Sequence, residues 1–411
     1  MAKIAIIGAG LGSLSAASAL VKSGHDITIY ERYSSPGGRA RRITSHTKAG
    51  DYLTEIGPTV FTMLEVAEKP FTNLDIALNE VVEMINVAPS YQGVFADGSV
   101  LNWPHNQDKR KDVVAHFAGD AQARGFENYV SWLEKLVDVE YDKFIARNFN
   151  SPFDLTKNIN SMVKLLKLGA FRKLDKKVKS FISDPRLLSM STFQSLYAGV
   201  SPSQALAVYC IISYMDLIKG VYYPKGGMCS YGEVLADHLL NAGVKIIYNE
   251  KVENVSRTNF DYKVKSTSSE ERYEIVICNA DLPLAYPEIF NETMPKRIRE
   301  AKYSPSCMIY VVGGKTSSSN TAHHTIYFSE NDEKSYDEII NKKQMMTNPS
   351  YLISQPSLTD KSICPEGSQV FYVLEPCPNT KSDIAFKSNR EVNIERMKNH
   401  LVEAGINLDI A

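Results

Sequence analysis

The first forty residues constrain this chain more than any other stretch. Ile4, Ala5, Ile6 and Ile7 form a short apolar run of the kind that a buried parallel strand carries. It breaks into Gly8-Ala9-Gly10-Leu11-Gly12-Ser13, and residues 14–21 then read as a helix rich in small side chains. A second strand over 27–30 ends in Glu31. A strand, a glycine turn, a helix and a second strand closed by an acid about twenty residues on have the order and spacing of a dinucleotide-binding fold.

Each residue type there has a physical task. Gly8 allows the tight turn, and Gly10 lets backbone come close to a pyrophosphate. The following helix aims its unpaired N–H groups and positive dipole end at such an anion. Glu31 can accept hydrogen bonds from ribose hydroxyls and would repel a 2′-phosphate, which argues against NADP. Ser13 stands where a third glycine is usual, and it is small enough for helix–strand packing. Glycines alone would say little, because any turn-rich loop can produce them. Here the strands, the helix and the acid are all in register with them.

At 411 residues the chain can bury a large core and is expected to form two or three lobes. A formal net charge of -1 supplies no overall field for nucleic acid, so no nucleic-acid partner is expected. Cys210, Cys229, Cys278, Cys307, Cys364 and Cys377 form no C-x-x-C pair and show no metal spacing. They are expected to be reduced, small buried hydrophobes in a cytoplasmic setting. The chain opens directly on a core strand, so no secretory leader is expected. No window reaches the roughly 18 apolar residues of a membrane span. The best candidate, 206–218, contains Ser213 and Asp216.

Further along, Pro36-Gly37-Gly38-Arg39-Ala40 precedes Arg41 and Arg42. Such a turn either exposes N–H groups and a guanidinium to phosphate or is simply a solvated basic loop. Residues 51–60 read as a strand stopped at Gly57-Pro58, a place where backbone can approach a flat ring. Two strands around Asp97-Gly98 form a hairpin. From 109 to about 218 the pattern is mainly helical, punctuated by Pro152, Pro185 and Pro202. Within it, residues 161–174 place leucines and Phe171 among lysines at helical spacing. A segment like this either packs its leucines on the core or lies in a membrane interface with its lysines on anionic headgroups. Strands at 244–248, 251–255 and 273–278, the last running into Asn279, are expected to join the N-terminal sheet. From Pro287 onward the chain is strand-rich, material for a second lobe.

Together these stretches resemble the phytoene desaturase (bacterial-type carotenoid desaturase) family of the flavin amine-oxidase-like superfamily. The matching segments are GAGLGSLSAA at 8–17, PGGRA at 36–40, EIGPTVFTM at 55–63 and FISDPRLLSMSTFQSLYAGVSPSQA at 181–205. GVYYPKGGM at 220–228, VICNADLPLAY at 276–286, HHTIYFS at 323–329 and NPSYLISQPSLTDKSICPEG at 348–367 complete the set.

The resemblance implies an α/β fold: a discontinuous Rossmann-like FAD-binding domain (1–70 and 219–286), a sheet-rich substrate domain (71–108 and 287–411) and a helical membrane-docking subdomain (109–218). It implies FAD rather than NAD. Gly8, Gly10 and Gly12 would lie at the pyrophosphate and Glu31 at the adenosine ribose. Gly38 and Arg39 would lie along the diphosphate and ring, Val252 would offer backbone to adenine, and Pro58 and Thr59 would approach the isoalloxazine. Arg32 and Asn279 belong to the same cofactor-binding set. The 161–174 segment falls where the family docks on membranes, so the protein is expected to be cytoplasmic and peripherally membrane-associated. The family's glycine-rich closing segment has no counterpart before Ala411, so one strand and one helix of the nucleotide domain are expected to be missing.

The implied reaction is desaturation of a long apolar isoprenoid, with oxygen or a quinone as final electron acceptor. No motif marks a catalytic base, and His323 and His324 are expected to be structural. The alternatives on this scaffold are a carotenoid or retinoid isomerase or saturase, or a non-catalytic lipid-binding relative.

Overall fold

The computed structural model describes residues 1–148, 151, 158–316 and 319–410, so Pro152 and Ala411 lie outside the described residues. The expected opening forms as β1 (Lys3–Ile7), α1 (Leu11–Lys22) and β2 (Asp26–Tyr30). These strands pair in parallel, Ile4 opposite Ile27 and Ile6 opposite Ile29. Strand Ile275–Cys278 adds in parallel beside β1, and Lys245–Ile247 beside β2.

Alternation of side chains along β1 decides what covers each face. Ile4 and Ile6 pack with Leu14 and Ala17 of α1 and with Leu235 and Leu239 of the helix Met228–Asn241. Ala5 and Ile7 face the other way, onto Tyr30, Val252, Val255, Val264 and Tyr273. That second cover is a separate antiparallel sheet of Val252–Arg257, Tyr262–Ser266 and Glu270–Tyr273. The expectation that residues 251–255 join the parallel sheet is therefore corrected. Asn249, with φ 56°, turns the chain out of the sheet after Lys245–Ile247, and the next strand pairs with its own hairpin partner.

A seven-stranded mixed sheet forms the next layer, in the order Leu408–Ile410, Ser306–Thr316, Gln369–Cys377, Tyr351–Ser354, His324–Tyr327, Tyr91–Val94, Val100–Trp103. The early hairpin is joined to the late strands by a parallel pairing, Ile326 opposite Gly93. Helices pack beyond it. Helix Asp120–Glu140 buries Phe126, Tyr129, Leu133 and Leu136, the three-and-four spacing of a core-facing stripe. Gly125 on that helix is required by contact, since a Cβ there would lie 2.1 Å from the Phe181 carbonyl oxygen.

The basic segment becomes a helix, Ile159–Leu168, ended by Gly169 at φ 74°. Only Leu165 of its residues is buried, while Ile159, Val163 and Leu166 face outward and are 64, 44 and 61% exposed. No helix among the described residues is long and apolar enough to cross a membrane.

Candidate functional site

The turn after β1 is a cradle of bare backbone. Gly8 has φ 90°, and its N–H donates to the Tyr30 carbonyl at 2.8 Å. Gly10 begins α1 with no side-chain cap and no acid in the first turn, so the helix presents unpaired N–H groups. The second glycine loop lies against the first: Gly37 N–H donates to the Ala9 carbonyl at 2.9 Å, and a Cβ on Gly38 would sit 3.1 Å from the Gly10 Cα. Asn279, one residue past its strand, lays its amide over Gly10 and Gly12, at 3.4 and 3.3 Å from where a Cβ would be.

Glu31 turns back onto this loop. Its Oε2 accepts the Ala9 N–H at 2.7 Å and its Oε1 accepts the Tyr33 N–H at 2.9 Å. Bare amides at a helix N-terminus beside a buried carboxylate suit a phosphoanhydride joined to a sugar. The remaining nucleotide-side candidates are arranged differently. Arg32 is exposed and lies over the Tyr33 ring, which Arg41 covers at 3.6 Å. Arg39 reaches across solvent to Asp281 at 3.2 Å. Val252 is buried two residues after Glu250, whose N–H donates to the Glu31 carbonyl at 2.8 Å. Arg42 is structural, pairing with Glu233 at 2.9 Å and donating to the Gly226 carbonyl at 3.1 Å.

Pro58 and Thr59 form a second locus, locked by their backbone. The Gly57 carbonyl accepts the Tyr372 hydroxyl at 2.8 Å, and the Thr59 carbonyl accepts His324 Nε2–H at 2.9 Å. Gly57 crosses the Arg39 backbone so closely that a Cβ would lie 1.9 Å from the Arg39 oxygen. This crossing ties the second locus to the cradle. Just before it, the half-buried Glu55 caps the helix Met228–Asn241 by accepting the Met228 N–H. Burial lifts its carboxyl to about 7, against the pull of that N–H and of Arg42.

Residues 57–60, 62 and 63 also line an apolar cavity of about 640 Å³ between the mixed sheet and the helices. Its walls include Phe193, Leu196, Ile211, Met215 and Phe328. Ile145 lines it at the helical side, near Lys143, whose carbonyl accepts the Asn158 amide at 3.4 Å. Asn158 leads directly into the outward-facing helix. Asp216 is the one carboxylate among the described residues lining this cavity, and no Lys, Arg or His lines it.

His323 and His324 are both buried. His324 is kept neutral, lowered to about 4 by burial against the hydrogen bonds to Thr59 and Ser90. Burial, with the neighbouring His324, also holds His323 well below its ordinary value, and its Nδ1 meets the Thr359 hydroxyl at 2.6 Å. Of the cysteines, Cys210, Cys229, Cys364 and Cys377 are buried as expected, whereas Cys307 is exposed and lines the cavity. Sequence reasoning missed Tyr91, Tyr372 and Asp216. The signal for Asp216 was a single acid inside an apolar run, used only as an argument against a membrane span.

Comparison with known proteins adds a family. Residues 14–315 match the family of flavin containing amine oxidoreductases. The chain is similar to a phytoene dehydrogenase of Streptomyces griseus, 36% identical over 390 residues, covering 95% of this chain and 75% of that protein. It is also similar to a zeta-carotene-forming phytoene desaturase of Myxococcus xanthus, 29% identical over 402 residues and covering 94% and 74%. Among solved structures, an oxidoreductase from Methanosarcina mazei shares the fold with a TM-score of 0.60 at 16% identity, over 99% of this chain and 86% of that one.

Proposed function

The chain belongs to the flavin containing amine oxidoreductase family, in its phytoene desaturase branch, and from that premise we propose that it is an FAD-dependent carotenoid desaturase. It introduces double bonds into a long isoprenoid polyene. The observation that carries the reading is one shared segment: residues 57–59 are tied to the glycine cradle through Arg39 and at the same time wall the apolar cavity.

The residues present fit the flavin nucleotide. Glycines at 8, 37 and 38 hold left-handed backbone where a Cβ would be strained, and α1 starts uncapped at Gly10. Gly8, Gly10 and Gly12 would hold the pyrophosphate, closed by Gly38, Arg39 and Asn279. Glu31 would hold the adenosine ribose with Arg32 at its flank, and Val252 would offer backbone to adenine. Pro58 and Thr59 would approach the isoalloxazine. When bound, FAD supplies a two-electron acceptor for desaturation. The chain's own apolar wall binds and aligns the polyene and excludes water from it.

The same reading divides the labour as 1–70 with 219–286 for the nucleotide, 71–108 with 287–411 for substrate, and 109–218 for membrane docking. The outward apolar stripe Ile159, Val163 and Leu166, beside Lys164 and Lys167, supports peripheral docking on an anionic leaflet. The cavity edge at Ile145 lies next to that helix, so an oily substrate would enter from the bilayer side. Oxygen or a membrane quinone would reoxidise the flavin.

The test is purified protein with phytoene in vesicles of phosphatidylcholine and anionic phosphatidylglycerol. A bound-flavin spectrum and a shift of polyene absorption to longer wavelength are expected. An unchanged number of double bonds with altered geometry would identify an isomerase instead. Protein that takes up no flavin would overturn the reading.

A further inference from the structure

The cavity carries one feature that apolar binding does not explain. Asp216 sits on its wall within a wide π-type turn, Tyr214–Lys219, a backbone form that recurs at functional sites. The residue is 3% exposed. Tyr91 and Tyr197 both donate to its Oδ2, at 2.9 and 3.3 Å. Among the described residues nothing hydrogen-bonds Oδ1, and no cation accompanies the carboxyl. An asparagine would satisfy both phenols without the penalty of burying an ionisable group. The tyrosines also join it to the second locus. The Tyr91 ring lies 5.4 Å from that of His324, which holds the Thr59 carbonyl.

Desaturation breaks two C–H bonds on adjacent carbons. One hydrogen departs as hydride with its electron pair, to the oxidant of the established family chemistry. The other must leave as a proton, and the electron pair of its C–H bond becomes the new π bond. We propose that Asp216 is the catalytic residue that receives this proton on its carboxylate, with Tyr91 and Tyr197 as the positioning residues that aim it. The inference rests on the desaturase reading above.

The charge balance at the site agrees with this role. Burial raises the Asp216 carboxyl to about 7, with the two phenol hydrogen bonds pulling down. A base poised near the working pH is the efficient one. The titratable groups around it are Tyr91 and Tyr197, with Cys307 behind Tyr197 and the neutral His324 behind Tyr91. None is cationic at neutral pH.

The experiment uses full-length, flavin-loaded protein and phytoene vesicles, comparing wild type with Asp216→Asn, Asp216→Glu and Tyr197→Phe. Wild type is expected to show kcat/KM rising with pH and levelling above about 7, together with a protonated-carboxyl infrared band that fades over the same interval. Asp216→Asn should lose the band and lower kcat by about 100-fold or more while KM stays within about threefold. Asp216→Glu should restore part of kcat. Tyr197→Phe removes a hydrogen bond that favours the ionised form, so it should move both the rate limb and the band to higher pH. Asp216→Asn turning over within threefold of wild type would overturn the proposal, as would a rate limb that Tyr197→Phe leaves in place. Wild type that binds flavin and polyene but never lengthens the conjugation would instead sink the desaturase reading itself.

Discussion

Replacing Gly57 with alanine tests whether the crossing of two backbones builds the flavin site. The added Cβ would lie 1.9 Å from the Arg39 oxygen and 2.9 Å from its carbonyl carbon. Both are backbone atoms, so no rotamer relieves the clash, and the chains must part by about 1 Å to reach an acceptable contact. Overpacking of this kind costs about 1–3 kcal/mol. Spread over the unfolding entropy of a chain this long, that is a Tm drop of about 1–4 °C. Gly125→Ala is the matched control, because its Cβ would meet the Phe181 oxygen at 2.1 Å in the helical lobe, away from the cradle. Both variants should lose similar stability. Only Gly57→Ala should move Arg39, and with it Gly38 off Gly10, while shifting Pro58 and Thr59. Its flavin Kd, from spectroscopic titration, should rise at least tenfold, about 1.4 kcal/mol. A Kd within twofold of Gly125→Ala at equal Tm loss would refute the reasoning.

Three further outcomes follow from other parts of the molecule. The folded-state carboxyl of Asp216 is raised to about 7. An acid raised on folding destabilises the fold as pH climbs from the unfolded value near 4 through 7, so Asp216→Asn should match wild type at pH 4 and exceed it by up to about 4 kcal/mol at pH 8 in urea denaturation. Burial alone would raise Glu375, but hydrogen bonds from His400 and Arg396 hold it below the ordinary carboxylate range. Its contribution is present above that range and lost as pH falls through the lowered value, so Glu375→Ala should cost about 3–5 kcal/mol at pH 7 and much less in acid, by the same assay. Leu166 and Phe171 are 61% and 38% exposed. Leu166→Glu with Phe171→Glu should leave Tm within about 1 °C yet cut co-sedimentation with anionic vesicles at least tenfold, since each inserted side chain contributes roughly 1–2 kcal/mol. Equal sedimentation would argue against docking through the helix Ile159–Leu168 and the turn that follows it.

Elements close in sequence were legible because their causes are local. A short apolar run, a glycine turn and an acid at the end of β2 are written within thirty residues, and they formed β1, α1 and β2 with Glu31 turned onto the loop. The paired Gly-Gly turn was visible too. That it lies against Gly10, and that Arg39 pairs with Asp281, depends on how the loops stack. The strand at Val252–Arg257 looked like a continuation of the parallel sheet because its composition is the same in either sheet. A left-handed Asn249 and an available hairpin partner decided otherwise. The basic helix was ambiguous for a related reason: periodicity reports an apolar face but not whether it meets protein or solvent.

What the sequence determined by itself is thus the strand–helix–strand opening with its glycine turn, and the family, since short-range stereochemistry and ordered motifs suffice for both. The tertiary structure alone decided that Ile159, Val163 and Leu166 point outward and that Asp216 stands on an apolar wall. Its partner Tyr91 lies 125 residues away in the chain. Contacts at that separation are set by the packing of whole layers, and no local pattern of residues records them.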